Sequence, residues 1–119
     1  MRFLSVITGA EDQGPPPPGL MAAMEKHIAK SFGDGSLIQT GGLARSSSGV
    51  RVRMSAGKLT VVDGPFTETK EVIGGYALLE APSREAVIEA TRAFMQLHLD
   101  HWPSWEGECE VRELVFLAP

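Results

Sequence analysis

Cysteine is almost missing from this chain of 119 residues, where Cys109 stands alone. No internal disulfide can therefore staple the fold, and there is no CxxC pair to hold zinc or pass electrons; Cys109 reads as a buried strand residue, apolar in function. Long apolar runs are missing as well. The N-terminal stretch Phe3-Leu4-Ser5-Val6-Ile7 is cut off by Gly9 and the acidic pair Glu11-Asp12, which leaves it too short for a signal-peptide core or a membrane span. The expectation is a cytoplasmic protein with no membrane partner. Positive charge is scarce too: 11 Lys and Arg face 15 Asp and Glu, for a net charge of -4. Arg45, Arg51 and Arg53 come nearest to a basic cluster and are too few for a nucleic-acid binder that works by neutralising phosphates. The sequence also lacks a GxGxxG or GxxxxGK[ST] phosphate loop, a GxSxG elbow, and a Cys placed with a His as nucleophile. No cofactor is expected.

What is present suits one globular domain over residues 1–119. Its apolar fraction of 43% and charged fraction of 22% are those of a domain with an ordinary core. Residues 2–8 read as a strand. Gly14-Pro15-Pro16-Pro17-Pro18-Gly19 is a stiff approach to a helix over about 20–32, with proline tolerated near the start. Gly33-Asp34-Gly35 ends that helix, and 37–43 is the next strand. After the loop Ser46-Ser47-Ser48-Gly49, the alternation of Val50, Val52 and Met54 with Arg51, Arg53 and Ser55 marks a half-buried strand. Ala56-Gly57 turns it into a second strand over 58–63 as a hairpin. Then come a strand over 72–80, a helix from the Pro82-Ser83 start to about Asp100 with Ser83 as its cap, and a strand over 109–117. Strand-helix-strand, an inserted hairpin, and strand-helix-strand again make two split βαβ units, hence an α+β domain of ferredoxin-like kind. One face of its sheet would stay apolar without a partner, which points to a homodimer.

The densest chemistry lies in Asp63-Gly64-Pro65-Phe66-Thr67-Glu68-Thr69-Lys70-Glu71, directly before Val72-Ile73-Gly74-Gly75-Tyr76. Gly64-Pro65 must stop the strand before it, since proline fixes φ and withholds a donor. Asp63 is then expected either to accept hydrogen bonds from its own backbone a residue or two onward, as an Asx-turn, or to act as a carboxylate held at a strand end. Glu68 and Lys70 fall on one side of an extended segment, as a solvated ion pair or as ligand-binding groups. Gly74-Gly75 inside a β-branched strand signals a bulge or a close approach by a ligand.

This run, with Phe3-Leu4, Gly41-Gly42-Leu43, Val50-Arg51-Val52-Arg53, the stretch from Gly74 to Glu80, and Cys109-Glu110-Val111-Arg112-Glu113-Leu114, resembles the YCII-related family, in particular its DGPF branch, over nearly the whole chain. The resemblance implies a dimer in which two sheets face each other as an α+β barrel, with a cleft bounded by sheets and helices. It also implies a histidine on the first helix, at a position that aligns with Met24.

Here His27 lies near that position and borders the apolar stripe Leu20, Met24, Ile28 and Phe32. On the second helix Val87, Thr91, Phe94 and His98 share a face. Either histidine is a structural edge residue or an acid-base group. His98, Asp100 and His101 lack HExxH and a third ligand, so no metal is expected. Trp102 and Trp105 read as closing a core edge or a dimer contact.

Two functional classes follow. In the first, Asp63, His27 or His98 moves a proton on a small organic acid whose carboxylate is held by Arg45 or Lys70, in lyase- or isomerase-type chemistry. The resemblance supports this through relatives similar to ring-lactone isomerases and dehydrochlorinases. In the second, the dimer binds a small molecule or partner without catalysis, in the setting of extracytoplasmic-function sigma factors to which DGPF proteins are linked.

Overall fold

The computed structural model describes residues 1–66 and 71–115. Their order is β1 (Arg2–Gly9), α1 (Pro18–Gly33), β2 (Leu37–Gly42), a 3₁₀ turn (Ser46–Ser48), β3 (Val50–Ser55), β4 (Lys58–Asp63), β5 (Val72–Glu80), α2 (Arg84–His101) and β6 (Gly107–Glu113). Four strands form an antiparallel sheet in the order β2-β5-β1-β6, and β3-β4 is a separate two-stranded hairpin. The chain is therefore α+β. Helix α1 begins at Pro18, because the Pro17 carbonyl takes the Leu20 and Met21 N–H groups. The expected cap on α2 is present, with Ser83 Oγ accepting from the Ala86 N–H at 3.1 Å. The last strand was expected to run to 117, but it ends at Glu113. The expected positions 116 and 117 lie outside the described residues.

Both helices lie on the same face of the sheet, and the side chains of that face shrink along the strands. Leu37, Leu79 and Phe3 occupy one row; the next holds Thr40, Ala77, Ser5 and Val111; the third holds Gly42, Gly75, Ile7 and Cys109. At the large end Phe3, Ala81 and Val87 form a buried core with Leu79, Ala86 and Val111 against them. At the small end the helices have little to pack on, and a hollow remains. An extra residue, Gly74, sits between the pairs Ile7↔Gly75 and Thr8↔Ile73, so the paired glycines do mark a bulge. The stripe on α1 is deepest at Leu20 and continues through Met24 and Ile28, but Phe32 in the last turn is 47% exposed.

Ser46 fastens the hairpin to this body. Its N–H and Oγ donate to the two carboxylate oxygens of Glu11, at 2.5 and 2.7 Å, and its Oγ accepts from the Phe66 N–H at 3.4 Å. The Gly64 N–H donates to the Gly49 carbonyl at 2.9 Å. The Phe66 ring lies against Gly49 and under the Arg51 guanidinium, 3.8 Å from its centroid. The Asx-turn expected at Asp63 does not form among the described residues. Pro65 has no N–H to offer, and the Gly64 and Phe66 N–H groups are taken by Gly49 and Ser46. Gly64 is needed for space, since a Cβ there would run into the Ser46 carbonyl, a backbone group that cannot swing aside. Gly64→Ala should thus cost on the order of 3 kcal/mol in chemical denaturation, the upper range for forced overpacking. Gly33→Ala, which meets nothing within 4 Å, should be neutral or slightly stabilising. Equal stability of the two variants would show that the latch is not tight.

Candidate functional site

The hollow between helices and sheet is a cleft of about 850 Å³, within the usual range for small-molecule sites. Its floor is Ser5, Ile7, Gly75, Ala77 and Cys109; Leu20, Met24 and His27 of α1 and Thr91, Phe94 and His98 of α2 form the walls. Gln13 closes one end by bridging two loops. Its amide donates to the Ala10 and Glu106 carbonyls at 3.0 and 2.8 Å and accepts from the Glu106 N–H at 2.8 Å. The Trp105 ring covers the paired glycines Gly9 and Gly107 beside that bridge, in space that a Cβ on Gly107 would invade. The tryptophans do close an edge, as their loop position suggested.

His98 is the most perturbed ionisable group of the wall. Only 7% of it is exposed. Its ring packs on Phe94 and Trp105, with centroids 5.0 and 4.9 Å away. Burial lowers its pKa below the ordinary 6.5, and the hydrogen bond to the Phe94 carbonyl opposes that shift only partly. The Nδ1 atom lies 3.3 Å from that carbonyl. A carbonyl can only accept, so the proton of the neutral ring sits on Nδ1 and the lone pair on Nε2. The residue also lines a smaller groove of about 330 Å³ beside Leu99 and Trp102.

The other sequence candidates fall into three groups. His27 lines the cleft, its ring centroid 6.1 Å from that of Phe94, and Met24, where the family histidine aligns, lines it as well. Arg45 sits at the mouth, with its guanidinium on Asp12 at 2.6 Å. That ion pair, with Glu11 adjacent, raises the Arg45 pKa; exposed as it is, it is weak enough for a ligand carboxylate to compete with Asp12. Asp63 is exposed at the end of β4 and does not line the cleft. Glu68 and Lys70 lie outside the described residues. Asp100 accepts from Gln96 and is exposed, while His101 lies beside Gly19, apart from His98. Among the described residues no three His, Cys, Asp or Glu side chains come together as a metal-binding group.

Several site residues were missed in the sequence. Ser5 is buried and its Oγ lies 2.8 Å from Cys109 Sγ, so Cys109 is a half-buried floor residue of the cleft and not merely core filling. Burial pushes its thiol up, only partly countered by the Ser5 bond, which leaves it protonated at neutral pH. Glu11 and Ser46 at the mouth were missed because a single carboxylate and a serine loop carry no spacing signal. The hydrogen bonds from the Ser46 backbone and hydroxyl hold the Glu11 carboxyl below its ordinary pKa.

The YCII-related domain model matches residues 1–99, and the chain belongs to that family. It is 33% identical over 100 residues to an uncharacterised protein of Rhizobium meliloti (strain 1021), an overlap that covers 84% of this chain and 73% of that protein. No helix of the described residues is long and apolar enough to cross a membrane.

The His98 imidazole and the Glu11 and Asp34 carboxyls, the last held by the Ser36 side-chain and backbone donors, have depressed pKa values in the folded state, so each contributes stability above its unfolded pKa that is lost as pH falls. For His98 the loss starts near the ordinary 6.5 and for Glu11 near 4.5. The melting temperature should fall in two stages on acidification. His98→Phe should flatten the upper stage, and Glu11→Gln should reduce the lower, to which Asp34 also contributes. Unchanged slopes in the variants would refute the assignments.

Proposed function

We propose that the cleft takes a small, largely apolar, weakly acidic organic molecule and that His98 Nε2 accepts a proton from it, in cofactor-free chemistry of the lyase or isomerase type. The observation that carries this reading is the state of His98: neutral through burial, with its proton committed to the Phe94 carbonyl, in the wall of a mostly apolar hollow of substrate size. A base with its pKa below neutrality is in its accepting form at pH 7. His27 across the cleft is the second candidate to handle a proton, and Arg45 the candidate to orient an acid at the mouth. The run from Asp63 to Phe66 supports the DGPF branch within the family. The strand order β2-β5-β1-β6, with both helices on one face, supports the ferredoxin-like arrangement. The opposite face of the sheet carries Leu4, Val6, Tyr76 and Leu78, with Leu4 37% exposed, and supports a homodimer built face to face.

A second reading is favoured by one feature: among the described residues His98 is the single buried ionisable side chain, with no carboxylate to steady an imidazolium. In that reading the cleft binds its ligand without turnover, as a regulatory protein in the sigma-factor setting would. Both readings predict ligand binding, but they differ on proton exchange. Incubation with a panel of enolisable lactones and ketones in D₂O, followed by proton NMR, should show protein-dependent loss of one α-proton signal. His98→Gln should abolish it. Binding of a panel member with no exchange at any pH between 6 and 9 would leave the non-catalytic reading.

A further inference from the structure

The β3-β4 hairpin carries an unpartnered apolar face. In its register Val52 opposes Val61 and Met54 opposes Leu59, so Val50, Val52, Met54, Leu59 and Val61 point to one side, while Arg51, Arg53, Ser55, Lys58 and Thr60 point to the other. Those five apolar residues are exposed between 57% for Val50 and 77% for Met54. A two-stranded hairpin whose apolar face is this exposed is marginal in water, and among the described residues Ser46 holds this one at its base.

The dimensions of the chain say how much cover is needed. Its accessible surface is 8537 Å², against roughly 6,300 Å² for a compact monomer of its mass. The radius of gyration is 16.2 Å, against about 13.5 Å for a compact domain of this length. The surplus of about 2,200 Å² per chain falls in the range that each partner of an obligate homodimer buries. The hairpin alone falls short of that: five such side chains amount to roughly 300–600 Å² of apolar surface, below the roughly 800 Å² per side of a standard interface. The deficit is made up by the open sheet face of Leu4, Val6, Tyr76 and Leu78. A thickness of 19 Å along the shortest axis leaves no third layer over that face.

We propose that the β3-β4 hairpin is a dimer arm, laying Val50, Val52, Met54, Leu59 and Val61 on a second copy of this chain as part of the interface that also covers the open sheet face. The inference rests on the homodimer reading and adds the arm to it. A second copy is the occupant because a twofold contact brings both patches of each protomer to the same interface and buries each twice. It also accounts for the latch of Ser46, Glu11, Gly64 and Phe66: an arm that reaches another molecule must leave its own body at a fixed angle.

The test is sedimentation velocity over a dilution series from 100 μM to 10 nM on the wild type, on Val52→Lys with Leu59→Lys, and on Thr60→Lys from the opposite face. The wild type and Thr60→Lys should dimerise alike. The double variant, whose changes fall on residues already exposed in the protomer, should keep its circular dichroism and dimerise at least a hundredfold more weakly. Hydrogen exchange on the wild type gives a readout that needs no variant: amides of residues 50–63 should slow as concentration rises through the dissociation constant. A wild-type dimer with a double variant within threefold of it and no such slowing would remove the arm and leave the homodimer standing. A wild type that is monomeric at 100 μM would overturn both.

Discussion

The helix-facing side of the sheet is filled by size, and that gradation decides where the protein is solid and where it is hollow. A helix packs on a sheet only where side chains fill the layer between them. Phe3, Leu79 and Leu37 fill it at one end, against Val87 and Ala86, and this is where the buried core lies. Two residues further along β1 and β5, and three along β2 past its register shift, the fillers are Ser5, Ala77 and Thr40, and beyond them Gly75 and Gly42 contribute nothing. Since α1 and α2 run unbroken over 16 and 18 residues, they do not follow the shrinking floor. A cleft is the consequence, and the same geometry sets its walls: inward residues of the two helices, Met24 and His27 on one, Phe94 and His98 on the other.

The dense run of turn and ionisable residues after β4 has a mechanical meaning. Asp63-Gly64-Pro65-Phe66 reads as a place for chemistry because a carboxylate is held at a strand end, yet Asp63 faces solvent. Gly64 fits where no side chain can, and Phe66 gives its N–H to Ser46 and its ring to Arg51 and Gly49. Glu11 then ties Ser46 to the loop that leads into α1. A charged acceptor with two donors is worth more than neutral pairs of the same count. The turn, the hairpin base and the cleft mouth are therefore one structural unit centred on the Ser46 backbone and hydroxyl.

Much of the fold was legible because its signals are local. The strand over Val50 to Ser55, the Ala56-Gly57 turn, the Ser83 cap and the inward face of α2 each follow from spacing over a few residues, and all are present. That strand is not half-buried as expected, however: Val50, Val52 and Met54 are exposed, because the hairpin stands apart from the four-stranded sheet. The doubled glycine in β5 was read as a bulge or a ligand approach; it is a bulge, and Gly75 also lies on the cleft floor. The site was legible only in its histidines. Ser5 and Cys109 lie 104 residues apart in sequence, and Glu11 and Ser46 lie 35 apart, so their pairing exists only after the sheet and loops close. The Asx-turn failed for a reason present in the sequence, since proline two residues after Asp63 removes the donor such a turn uses. Arg45 shares its guanidinium, in an exposed ion pair, with Asp12, a neighbour that no sequence pattern links to it.

The chemistry of the cleft follows from what its interior withholds. Among the described residues no Lys or Arg is buried, so a preformed carboxylate drawn into the hollow would give up its hydration for no buried cation, a large cost. His98 cannot supply one in advance, because burial keeps its imidazole neutral. On the proposed reading, charge would arise there as a pair created together: a proton would leave the ligand for Nε2, and the new anion and imidazolium would stabilise each other at close range. That reading would favour molecules that are neutral on entry and become anionic beside His98, such as enolisable carbonyl compounds.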